Sequence, residues 1–146
     1  MGYKSLEIHA CWRDKLWKLA DELVVSIHEM TLTKLPKFEM FEEGSQIRRS
    51  CKSVKSTIVE GYRRKRYKAG FVKFLVYSPG SNDETIDHLE NLFKTKSLQD
   101  EDLYNYLHVK SDSYRMETLG KKLNFFIKRV DNTEWNKPAS SNTIVL

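Results

Sequence analysis

Residues 16–31 read Leu16-Trp17-Lys18-Leu19-Ala20-Asp21-Glu22-Leu23-Val24-Val25-Ser26-Ile27-His28-Glu29-Met30-Thr31. Leu16, Leu19, Leu23, Ile27 and Met30 recur at steps of three and four, and the series extends back through Trp12 and Ile8. That is the period of an α-helix with an apolar face, and it predicts a helix from about Ser5 to Thr31. Trp17, Ala20 and Val24 repeat at the same spacing but lie roughly 100° or more around the helix. One buried stripe is enough for a bundle helix, so Trp17, Ala20 and Val24 are the candidate contact surface for a second copy. Pro36 disfavours α geometry at Leu35 and removes a backbone donor, and TLTKLPKFEMFEEG therefore reads as a connecting loop.

Three further segments share this period. The second runs from about Glu42 to Tyr62, with Ile47, Cys51, Val54 and Ile58 on one narrow stripe and Arg48, Arg49, Lys52 and Lys55 on its flank and opposite side. Gly61 reads as a helix stop, and Arg63, Arg64, Lys65, Arg66 and Lys68 form the corner that follows. The third, about Ala69 to Thr95, turns Phe71, Phe74, Leu75, Ser78, Thr85, Leu89, Leu92 and Phe93 inward, with a kink or break predicted at Pro79-Gly80. The fourth, Asp100 to about Val130, opens on acids suited to a helix N-terminus and repeats Leu103, Leu107, Tyr114, Leu119, Leu123, Ile127 and Val130. Residues 132–146 are polar and aperiodic, a loose tail beside a domain of residues 1–131. Four long helical segments with short connections predict an all-α fold, an antiparallel up-down four-helix bundle.

Composition agrees with that class. The chain has 146 residues, enough for one sizeable core, and six Gly and three Pro supply little turn material for a sandwich or barrel. No run approaches eighteen apolar residues, and the start, MGYKSLEIHA, has no apolar stretch of the secretory kind. Cys11 and Cys51 lie far apart in sequence. Reduced thiols and a soluble, cytoplasmic protein are expected.

The charge is unevenly placed. Between Arg48 and Lys73 ten cations face the single acid Glu60, a local excess of +9, whereas the rest of the chain, fifteen cations against nineteen acids, sums to −4. A mildly acidic body with one strongly basic segment suits contact with a polyanion. Arg48, Arg49, Lys52, Lys55, Arg63, Arg64, Lys65, Arg66 and Lys68 are the candidate nucleic-acid-binding residues. For Arg48 and Arg49 an ion pair with Glu60 or with an acid of the first helix is the competing reading, and Glu60 is placed to pair with Arg63 or Arg64 at i+3 or i+4.

Catalytic constellations are missing. No Glu-x-x-His pair of the di-iron type precedes His9, His28, His88 or His108, and no phosphate-binding or nucleophile-elbow motif occurs. Glu84, Asp87 and His88 share a helix face but read as a solvated surface, and Cys51 on its apolar stripe reads as a small buried hydrophobe. The expectation is a non-enzymatic protein without cofactor, metal or small-molecule substrate.

The run Leu16 to Val25, then His28-Glu29-Met30-Thr31, Pro36-Lys37, Ser45-Gln46-Ile47-Arg48-Arg49-Ser50 and Ile58-Val59-Glu60-Gly61-Tyr62, resembles the proteins encoded within intervening sequences of bacterial 23S ribosomal RNA genes. Phe71, Phe74-Leu75, Gly80-Ser81 and Glu84 look like that family's third-helix pattern, and the likeness covers roughly residues 6 to 130. Two pieces depart from it: Thr57 stands where Asn usually precedes the Ile-Ala-Glu-Gly piece, and Tyr77-Ser78-Pro79-Gly80-Ser81 replaces an Ala-Leu-Gly-Ser type segment. The resemblance implies a four-helix bundle assembled as a ring-like homo-oligomer, a pentamer in the family pattern, and a role in binding RNA or DNA in preference to catalysis. A structural or protein-interaction scaffold, whose charges only keep a large assembly in solution, is the alternative.

Overall fold

The computed structural model describes the backbone of residues 2–108 and 116–132, and side chains over 14–108 and 118–132. Among the described residues every regular element is helical: α1 (Gly2–Thr33), a 3-10 turn (Lys37–Phe41), α2 (Glu43–Arg63), α3 (Lys68–Lys94), α4 (Glu101–His108) and α5 (Met116–Asp131). The fourth segment predicted from the sequence is therefore two helices. Residues 109–115, between them, lie outside the described residues. Tyr114 and the tail beyond Asn132 also lie outside the described residues.

Helix α1 closes on its own threonines. The Thr31 and Thr33 hydroxyls donate to the carbonyls of His28 and Glu29, each at 2.8 Å. Pro36, with φ of −58°, then opens the 3-10 turn where the sequence suggested only loop. Within that turn Glu39 is buried. Its carboxylate accepts the Glu43 N–H at 3.2 Å and the Ser97 hydroxyl at 2.6 Å, which sets an anion at the positive start of α2.

The apolar stripes meet in one core. Leu16, Leu23, Ile27 and Met30 of α1, the narrow stripe Ile47, Cys51, Val54 and Ile58 of α2, and Phe71, Leu75, Leu89 and Leu92 of α3 are all buried there. Helix α5 adds Leu119, Leu123, Phe126 and Val130. Phe126 takes the inward place expected for Ile127 and packs 6.1 Å from the Phe71 ring. Phe74 and Phe93, expected inside, are half-buried; Phe93 stacks flat on Tyr104 at 4.0 Å and joins α3 to α4. Burial pushes the Cys51 thiol up to about 12, so it is an inert apolar filler at neutral pH.

Helix α1 packs on α2 and α5, and α3 packs on the same two. The α2–α3 pair is antiparallel, because Thr57, Ser53 and Ser50 meet Ser78, Ser81 and Thr85 in reverse order at 2.5, 2.9 and 2.9 Å. Small side chains let the two helices approach closely. Gly61, expected to stop α2, lies inside it and faces α3, where a Cβ would come into ordinary contact with the Phe71 carbonyl oxygen and the Phe74 Cβ, each at 3.4 Å. Of the kink or break expected at Pro79, the break does not occur: α3 runs through it from Lys68 to Lys94.

Candidate nucleic-acid interface

Antiparallel pairing decides where the charges go. The C-terminal end of α2 and the start of α3 share one end of the molecule, which gathers Arg63, Arg64, Lys65, Arg66, Lys68 and Lys73. At the other end the start of α2 meets the second half of α3, and Glu39, Glu42 and Glu43 line a cleft of about 180 Å³ with Gln46, Asn91 and Thr95. His88 Nδ1 lies 2.6 Å from Glu43 Oε1 and its Nε2 3.5 Å from Glu84 Oε1, while Asp87 is exposed. No group of three or more His, Cys, Asp or Glu among the described residues is arranged to hold a metal ion.

Individual cations differ in how far they are committed to the fold. Arg48 is a correction to the sequence reading: it is half-buried, and its Nη2 donates to the Met40 carbonyl at 2.7 Å, tying the 3-10 turn to α2. Its Nη1 is buried without a partner among the described residues, so this guanidinium is spent on the chain. Lys55 is likewise engaged. It pairs with Asp21 at 2.7 Å and lies 5.1 Å from the centre of the Trp17 ring. Arg64 pairs with Glu60 at 3.0 Å, as the i, i+4 spacing predicted, and also covers Phe74 at 4.4 Å. Lys65 sits 4.4 Å over Tyr62, and Lys68 donates to the Asp131 carbonyl.

Arg49, Lys52 and Arg63 remain. They are exposed on the outer face of α2, without a hydrogen bond, ion pair or ring contact among the described residues. Arg66, past the end of α2, is also exposed but is engaged in a contact within the chain. The Lys68–Asp131 contact also brings the last turn of α5 to this corner with two cations, Lys128 and Arg129, that the sequence window omitted. The signal for them existed: basic residues in a last helical turn that must pack near the first turn of α3.

The second apolar stripe of α1 needs a correction as well. Ala20 is 1% exposed inside the chain's own core, and Trp17 and Val24 are half-buried against it. Because a small side chain at the margin between the stripes lets a neighbouring helix close over it, Ala20 has no surface to offer a partner. The exposed apolar residues near the C-terminal end of α1 are instead Val25 and Leu32, with Phe38 and Phe41 on the 3-10 turn beside a cavity lined by Leu32, Leu35, Met40 and Phe41.

Residues 13–117, well over half of the chain, match the family model described as 23S rRNA-intervening sequence protein. The chain belongs to this family. The match takes in α1 from Arg13 onward, the 3-10 turn, α2, α3 and α4, so the α2–α3 part of the basic corner lies within the stretch shared with the 23S rRNA-intervening sequence proteins, while Lys128 and Arg129 of α5 fall beyond it. No curated protein matches the chain significantly. No helix among the described residues is long and apolar enough to cross a membrane.

Proposed function

We propose that this member of the 23S rRNA-intervening sequence family is a non-enzymatic, oligomeric four-helix bundle that binds nucleic acid through a basic patch on α2 and the corner between α2 and α3. The observation that carries the reading is the row Arg49, Lys52 and Arg63 on the outer face of α2, cations that serve no contact among the described residues and lead into the exposed Arg66. A row of solvated cations on a rigid helix is an electrostatic footprint for phosphates. Arg48 and Lys55 stand apart from it, because each is held by the chain.

Packing of α1 on α2 and α5, and of α3 on the same pair, supports the four-helix bundle, with α4 as a short addition on α3 and α5. Assembly as a ring-like homo-oligomer, a pentamer in the family pattern, draws support from the apolar surface of Val25, Leu32, Phe38 and Phe41, since patches of this kind mark contacts. Light scattering at micromolar concentration tests it: a multiple of the protomer mass is expected, and a monomer mass overturns it. Phe41→Glu should lower the mass while leaving helicity intact.

Binding is tested by its salt dependence. Phosphate contacts release condensed counterions, so log K should fall linearly with log salt at roughly −0.7 to −0.9 per neutralised phosphate, about −3 for four contacts by one protomer. Replacing Arg63, Arg64, Lys65 and Arg66 together by Ala should flatten the slope and weaken binding similarly for unrelated sequences, provided the variant keeps the wild-type mass. Failure of the wild type to shift any RNA or DNA at low salt would leave the scaffold reading in its place.

A further inference from the structure

Phosphate contacts need only cations, yet the basic corner also presents rings. Tyr67, the residue that precedes α3, is 69% exposed, and Tyr77, ten residues on, is 51% exposed. Half-buried Phe74 stands between them, its ring centre 5.9 Å from that of Tyr77 in an edge-on arrangement. At about 100° per residue Phe74 and Tyr77 lie about 60° apart on one side of α3, and with Tyr67 at its N-cap the three span about 15 Å along the axis. That is the length of roughly four nucleotides at a duplex-like rise.

Cations are interleaved with these rings. Arg64 lies over Phe74 and Lys65 over Tyr62, each at 4.4 Å, and at the α5 end of the same corner Arg129 lies 5.9 Å from Phe125, itself 51% exposed. Glu60, the one acid of the segment, is already neutralised by Arg64. The surface therefore alternates positive groups with accessible aromatic faces. A duplex offers such a surface only phosphates and groove edges, because its base faces are stacked on one another. Unpaired bases offer a π-face of their own, and base–aromatic stacking is tolerant of sequence.

We propose that this corner is a platform for single-stranded nucleic acid, with unpaired bases stacking on Tyr67 and Tyr77 while Arg63, Arg66 and Lys73 hold the phosphates. The proposal rests on the nucleic-acid reading above and narrows it to strands whose bases are free. It assigns Tyr67 and Tyr77 to the site, two residues that charge alone would not select.

The test compares ~20-nucleotide oligoadenylate, the matching oligodeoxyadenylate and the duplex of the latter with oligodeoxythymidylate, by fluorescence anisotropy at one salt concentration on the full chain. Single strands should bind at least about tenfold tighter than duplex, and the RNA-to-DNA ratio names the natural backbone. Tyr67→Ala with Tyr77→Ala should lose roughly thirtyfold or more on single strands, with the salt slope and the duplex affinity unchanged. Tyr67→Phe with Tyr77→Phe, which keeps the rings, should retain binding. An oligonucleotide carrying 2-aminopurine should change its fluorescence on wild type and not on the alanine pair. Equal affinity for duplex and single strand, or an alanine pair that binds like wild type while the four-cation Ala variant does not, overturns the platform and leaves the nucleic-acid reading standing. No binding of any probe at low salt overturns both.

Discussion

The hydroxyls of Thr57 and Ser78 meet at 2.5 Å across the seam between α2 and α3. Both residues stand where the resemblance drawn from the sequence marks a departure, and the structure places them against each other. Thr57 also donates toward the carbonyls of Ser53 and Val54, and Ser78 reaches the Val54 carbonyl at 3.3 Å, so the pair is a small closed network with no access to solvent on the Ser78 side.

That network makes volume, more than hydrogen bonding, the sensitive property of the seam. Ser78→Ala leaves Thr57 its intrahelical carbonyls and should cost only about 1 kcal/mol. Ser78→Leu adds bulk where nothing is exposed and should cost roughly 1–3 kcal/mol through overpacking. Urea midpoints of the two variants, compared at equal m, check the order; a larger loss for Ala than for Leu would show that the hydroxyl outweighs the fit.

Two glycines should respond to the same substitution with opposite signs. A Cβ at Gly44 would stand 2.4 Å from the Glu39 carbonyl oxygen, a backbone atom of the 3-10 turn that has little room to move. Gly44→Ala should therefore destabilise by roughly 1–3 kcal/mol. At Gly80, inside α3, a Cβ would meet nothing within 4 Å. Gly80→Ala should stabilise by about 0.5–1 kcal/mol, the usual helix-interior difference. Thermal unfolding of the two variants reads both signs in one experiment.

Much of this architecture is legible in the sequence, and the parts that are not share a physical cause. The stripes of α1, α2 and α3 are read from local spacing, because each repeats over several turns and is answered by burial of Leu16, Ile47 and Phe71. Ala20 and Phe126 escape local spacing. Each sits at the margin of a stripe, where the closeness of the neighbouring helix and not the period decides which residue turns inward. The basic corner is visible as a charge count, but Arg48 belongs to the fold only because the 3-10 turn carries the Met40 carbonyl to it from eight residues away. Lys128 and Arg129 join the corner through a contact with Lys68 that spans sixty-three positions. Such commitments are set by tertiary approach and leave no mark on the segment itself.

Just past the end of α3, Lys96 has φ of 67°, a left-handed conformation that disfavours any side chain with a Cβ. The turn is otherwise well closed, with the Lys96 N–H on the Phe93 carbonyl at 3.1 Å and the Leu98 N–H on the Leu92 carbonyl at 2.9 Å. Lys96→Gly should relieve the strain and stabilise by about 0.5–1 kcal/mol after the added freedom of the unfolded chain is counted. Lys96→Ala retains the Cβ and should change little. A rise of a few degrees in Tm for Gly alone is the expected result.

Asp100 supplies the start of α4 with both a cap and a titration. Its Oδ1 accepts the Leu103 N–H at 3.0 Å, and Lys34 lies 3.4 Å from its other oxygen. The Leu103 bond first, and Lys34 after it, hold the carboxyl below its ordinary value of 3.8. A depressed folded pKa means that the folded state binds fewer protons than the unfolded chain, so the contribution is complete above the ordinary carboxylate range and disappears as pH falls through the folded value. Asp100→Asn keeps a cap oxygen for the Leu103 N–H but cannot titrate. The variant should be less stable than wild type at about pH 7, and the gap between their urea midpoints should narrow from about pH 4 downward. A gap that stays constant down to about pH 2 would show that the carboxylate charge contributes nothing at this helix start.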